Sequence, residues 1–168
     1  MRPADGTYPH YLTNYISQAS GENLNDALLH STELLLKSLS EIPENKGDFA
    51  YADGKWSIKQ VLIHISDAER VFSYRLLRFG RGDEQQPLPF DENEYAENCN
   101  AEKRTLQDVI EELIAVRNST TALIHSFTKD DLNKNGNTAI GIISVNALGF
   151  AICGHSNHHI KVIKEKYL

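Results

Sequence analysis

Three histidines in this chain are spaced so that they could share one metal ion. His155 and His159 lie four residues apart in Gly154-His155-Ser156-Asn157-His158-His159, inside a segment with helical periodicity. That spacing stacks two imidazoles on one helix face, a turn apart. A His-x-x-x-His pair on a helix can grip a single ion. His64 lies on an earlier helix, in an otherwise apolar stripe. If the three converge, the ion has three protein ligands and open positions. Such a composition is the one used for chemistry, because structural zinc sites are closed by four protein ligands.

Helical phase, at about 100° per residue, supports convergence. In the last helix Val145, Leu148, Ile152, Ser156, His159 and Ile163 form one stripe, with His155 at its edge and His158 turned toward solvent. His64 borders the stripe of Val61, Ile65, Ala68 and Phe72. Each residue also has a plainer reading: His64 as a hydrogen-bonded core histidine, His158 as a solvated helix residue. Asp67, one turn past His64, could orient an imidazole or a bound water, or belong to a solvated acidic patch. Glu69 could pair with Arg70 or Arg75 nearby. Cys153 reads as a buried small apolar residue, since no activating base is evident. Arg70, Arg75, Arg78 and Arg81 either solvate a face or hold the carboxylates of an anionic substrate.

Four segments must position these groups. The first helix is expected from Glu22 to Ile42, ended by Pro43. The second has the strongest start signal, with Ser57 as N-cap, Gln60 completing a capping box and Trp56 stapling onto Val61. It ends at Gly80-Arg81-Gly82. The third runs from Thr105, with Asp108 as box partner, to Phe127, and the fourth from Ser144 to the end. Ile140–Val145 is an apolar run without a visible strand partner. The fold expected is all-α, a four-helix bundle with a long crossover between helices 2 and 3. The polar stretch from Gly80 to Arg104, with Asp91-Glu92-Asn93-Glu94, is long enough to run back along the bundle, and Phe90 and Tyr95 on it could cover a pocket.

Composition bounds the partners. The 168 residues make one domain, with residues 1–20 as an N-terminal extension. A net charge of −6 without a basic stripe argues against nucleic acid. The N-terminus carries no apolar run, and nothing approaches the length of a membrane span. Two cysteines without a framework fit a cytoplasmic protein.

These residues resemble a known family. The run from Trp56 to Arg70, the run Leu76-Leu77-Arg78-Phe79-Gly80-Arg81-Gly82-Asp83 and Gly154-His155-Ser156-Asn157-His158-His159-Ile160 are similar to the DinB-like (DinB/YfiT) superfamily, with a resemblance extending from Glu22 to Tyr167. The resemblance implies a four-helix bundle with a long crossover and a homodimer. It implies a divalent metal, nickel or zinc, on His64, His155 and His159. Relatives include S-transferases using low-molecular-weight thiols, a thiol-dependent isomerase and proteins held to be metal-dependent hydrolases. The expectation is therefore a metal-dependent thiol S-transferase or hydrolase acting on a small molecule, with Asp67 as a proton-transfer or orienting group. The alternative is a non-enzymatic metal-binding stress-response or dimerisation module, in which the metal stabilises the native state alone.

Overall fold

Each long helix begins where the local sequence supplies a capping acceptor. In the computed structural model, which describes residues 1–168, the helices are α1 (Thr13–Gln18), α2 (Leu24–Ser40), α3 (Ile58–Gly80), α4 (Glu92–Glu97), α5 (Leu106–His125), α6 (Lys129–Asn133) and α7 (Val145–Lys166). Ser57 Oγ accepts from the Gln60 N–H and Gln60 Oε1 accepts from the Ser57 N–H. Thr105 and Asp108 close the same box on α5, while Asn23 and Ser144 cap α2 and α7. These caps satisfy first-turn N–H groups that have no partner within the helix. The third long helix stops at His125 rather than Phe127, because Thr128 caps the separate α6.

The long helices form an up-down-down-up bundle. α2 and α3 each pack on both α5 and α7, so α2 and α3 stand on one diagonal. Lys59 Nζ donates to Arg104 O, joining the starts of α3 and α5, and Lys134 Nζ reaches Gly80 O at the opposite end. Lys164 pairs with Glu41 at 3.2 Å, joining the ends of α2 and α7. Tyr167 OH donates to Trp56 O, which brings the end of α7 to the start of α3. Parallel α3 and α5 require the expected crossover, and α4 lies on it. No helix is long and apolar enough to cross a membrane.

The core is divided by a polar layer. Leu76, Phe79, Ile124 and Phe150 anchor one apolar cluster, and Leu35, Leu62, Leu113 and Ile160 the other. Between them Arg117 Nε and Nη2 donate to the two Glu69 carboxylate oxygens at 2.8 and 2.7 Å, and Nη1 donates to Ser31 Oγ. Both charged side chains are 2% exposed. The local pairing of Glu69 with Arg70 or Arg75 is thus replaced by a cross-bundle pair. Glu69 follows Ile65 by four and Leu62 by seven, so it shares their inward face, which Arg70 does not.

One element differs from the sequence reading. Ile140–Val145 does have a partner. β1 (Asn135–Thr138) and β2 (Gly141–Ser144) form an antiparallel hairpin with Asn135 opposite Ser144 and Thr138 opposite Gly141. The partner was hidden because Asn-Gly-Asn-Thr has little strand propensity; its Gly136 sits where a side chain would strike the Phe79 ring. Residues 1–20, set apart by sequence as an N-terminal extension, pack onto the bundle. Arg2 closes the end of α1 through Ala19 O and Ile16 O at 2.7 and 2.9 Å. α1 lies against α7, where a Cβ on Gly154 would sit 2.5 Å from the Tyr15 carbonyl carbon and 3.2 Å from its Cα.

Candidate metal centre

His64 comes from α3, His155 and His159 from the antiparallel α7. One ring nitrogen from each lies within 4.8 Å of the other two. His64 Nε2 and His155 Nε2 are 3.1 Å apart. Two nitrogens ligating one tetrahedral ion at about 2.0–2.1 Å would be separated by about 3.3 Å, so this spacing suits a shared ion. The ring centroids are 4.5 to 5.0 Å apart.

Burial sets the charge state. Desolvation lowers the pKa of His64 and carries that of His155 well below the ordinary imidazole value, with neighbouring histidines adding to the effect on His155. His159 is lowered to about 3, again chiefly by desolvation and then by His64 and His158. All three are therefore neutral near pH 7, the form in which imidazole donates to a metal. Three neutral imidazoles, each able to turn an unprotonated nitrogen to one point, are a donor set that fits a borderline divalent cation.

Aromatic rings hold the imidazoles. Trp56 lies 4.9 Å from His64, and Tyr15 and Phe72 meet His155 edge-on at 5.3 and 5.8 Å. In front of the histidines opens a cavity of about 340 Å³. Its walls are Tyr11 and Tyr15 from the N-terminal segment, Ala68, Phe72 and Arg75 from α3, Pro89, Phe90 and Glu92 from the crossover, and Ile140 from the hairpin turn. The centre is open on that side, unlike a four-ligand structural site.

The remaining candidates separate. Phe90 lines the cavity as expected, whereas Tyr95 stands behind it, with ring centroids 5.4 Å apart. Asp67 does not reach the imidazoles. Its carboxylate takes Arg70 Nη1 at 3.3 Å and borders a depression with Glu94, Tyr95 and Cys99. Three residues past His64, it turns toward Arg104 and Glu112 beside α5, while His64 faces α7. His158 is half-buried, with Nδ1 3.4 Å from Gln18 Nε2, and takes no part in the cluster. Cys153 is buried, and desolvation pushes its thiol up to about 12, which agrees with an inert packing role. Tyr11, Tyr15 and Ile140 were not foreseen. The four-residue spacing of Tyr11 and Tyr15 was the available signal, since it places both on one helical face.

Comparison with known proteins agrees with this architecture. The sequence profile of the DinB superfamily matches residues 27–163. YfiT of Bacillus subtilis strain 168, named as a candidate metal-dependent hydrolase, is 26% identical over 135 residues, covering 78% of this chain and 75% of that protein. A candidate metal-dependent hydrolase of Oceanobacillus iheyensis is 24% identical over 135 residues, 79% of this chain and 77% of the relative. The solved structure of YfiT, described as an unusual four-helix bundle, superposes with a TM-score of 0.70 at 22% identity, covering 98% of this chain and 90% of that one. A mycothiol-dependent maleylpyruvate isomerase gives a TM-score of 0.63 at 11% identity, covering 93% of this chain and 60% of the isomerase. At these identities the two structures speak for the fold.

Proposed function

This chain belongs to the DinB superfamily, and from that footing we propose that it is a metal-dependent enzyme acting on a small molecule, by hydrolysis or by transfer to a low-molecular-weight thiol. The observation that carries this reading is the convergence of three neutral imidazoles at one end of an open cavity. His64, His155 and His159 would hold one divalent ion, nickel or zinc. When bound, such an ion acidifies a water or thiol at its open positions and so supplies a nucleophile near neutral pH.

The chain's own residues complete the site. Trp56, Tyr15 and Phe72 fix the imidazole planes by packing, so little reorganisation is needed on binding. The apolar walls contributed by Phe72, Pro89 and Phe90 exclude water from a substrate and strengthen polar contacts within the cavity. Glu92 is the one carboxylate among the lining residues. Within this reading Glu92, rather than Asp67, would be the carboxylate available to take up a proton at the cavity. The names of the two sequence relatives support a hydrolytic reaction.

Elemental mass spectrometry of tag-free protein, beside His64→Ala, His155→Ala and His159→Ala, tests the reading. About one metal per chain, lost in each variant, is expected. Unchanged stoichiometry in all three variants refutes it. A large metal-dependent rise in melting temperature, with no exchangeable ligand, would instead favour a metal that only cross-links α3 and α7.

A further inference from the structure

The arginines that follow His64 along α3 have different fates. Arg70 Nη2 pairs with Glu112 at 2.6 Å, and Arg78 Nε donates to Asp83 at 2.7 Å. Arg81 lies outside, over the Phe127 ring. Arg75 is the one that lines the cavity. Its only acceptor in the protein is a neutral one, Leu88 O, 3.0 Å from Nη2, and its Nε is buried without a partner. Glu92 shares the cavity but forms no ion pair with it, and Arg75 has no carboxylate within ion-pair distance, unlike Arg70 and Arg78. A half-buried guanidinium held only by Leu88 O and the face of the Phe72 ring, 5.9 Å from Cζ, has no anion to balance its charge until a ligand supplies one.

We propose that Arg75, with Tyr11 beside it, binds the anionic oxygen group of the substrate, a carboxylate or phosphate. The substrate's apolar body then lies against Phe72 and Phe90, and its reactive atom faces His64, His155 and His159. The proposal rests on reading those histidines as the reactive end of the cavity. It narrows the substrate class to small oxyanions with an apolar or aromatic body. The remaining Nη1 edge of Arg75 has no acceptor in the chain and presents a fork that matches a carboxylate or phosphate.

Trp56 is the only tryptophan and stands on the cavity wall, so its fluorescence reports on occupancy there. Benzoate, phenyl phosphate and benzamide are titrated against protein incubated with zinc, in wild type, Arg75→Gln and Arg75→Lys, with metal content measured on the same samples. Wild type should bind one or both anions at least about tenfold more tightly than the neutral amide, and the tighter anion identifies the group. Arg75→Gln should lose about ten- to a hundredfold in anion affinity and nothing for benzamide, with metal content unchanged, while Arg75→Lys recovers part. Equal wild-type affinity for benzoate, phenyl phosphate and benzamide overturns the proposal without any variant. So does Arg75→Gln that binds both anions as wild type does. Wild-type protein without metal overturns the histidine reading instead, and the anion-over-amide preference still decides for or against Arg75.

Discussion

Replacing Gly154 by alanine adds one methyl group where α7 meets the backbone of α1. The new Cβ would lie 2.5 Å from the Tyr15 carbonyl carbon and 3.2 Å from Tyr15 Cα. Ordinary carbon contacts are about 3.5–4.0 Å, so the α1 backbone must retreat by about 1 Å or more. Two effects compete. Alanine is favoured over glycine inside a helix by about 1 kcal/mol. Overpacking against a rigid neighbour costs about 1–3 kcal/mol. The obstacle here is backbone, and α1 is held by Arg2 and by Asn157 Nδ2 donating to Gln18 O at 2.9 Å, so no side chain can swing aside. With backbone as the obstacle the cost falls at the upper end of that range, so the clash should win by about 2 kcal/mol, with a fall in Tm of about 4–8 °C. Because Tyr15 packs on His155, α1 should also loosen locally, with faster amide exchange over Thr13–Gln18. Thermal unfolding and hydrogen exchange measure both. A Tm at or above wild type, with α1 amides as protected as before, would refute the docking argument.

The buried pair predicts a second outcome. Glu69→Ala or Arg117→Ala should each destabilise by about 3–5 kcal/mol, because each leaves a buried charge without its partner. The double variant should cost much less than the sum, and additive losses in a denaturant double-mutant cycle would refute the coupling. Metal removal exposes a pH effect. The buried histidines have folded-state values below the unfolded value of about 6.5, so the unfolded chain binds protons first as pH falls. Stability of chelated protein is thus full above about pH 6.5 and declines toward the folded value, about 3 for His159. At pH 5 His159 alone should account for a loss of about 2 kcal/mol. His159→Gln should reduce that loss, and equal pH profiles for variant and wild type would count against neutral burial.

Local information in the sequence determined the helices and much of the three-histidine cluster. Ser57 with Gln60 and Thr105 with Asp108 close their caps within four residues, so no distant contact is needed to place those helix starts. The face shared by His155 and His159 follows from helical pitch alone. The length between Gly80 and Arg104 already implied parallel neighbours, because the chain must travel back along the bundle. What remained depended on which helix faces which. Glu69 finds Arg117, 48 residues away, rather than its neighbours, because the bundle brings two inward faces together. Asp67 lies a turn from His64 yet faces α5, so sequence proximity misassigned it. The Asn135–Thr138 strand has no propensity of its own and exists through pairing with Gly141–Ser144. Arg75 is singled out only once the carboxylates beside Arg70 and Arg78 are located and the crossover brings Leu88 to its guanidinium. Pitch and capping act over a few residues and can be read along the chain. The enclosure of a cavity and the pairing of charges across a bundle are set by packing between distant segments, and only the tertiary structure decides them.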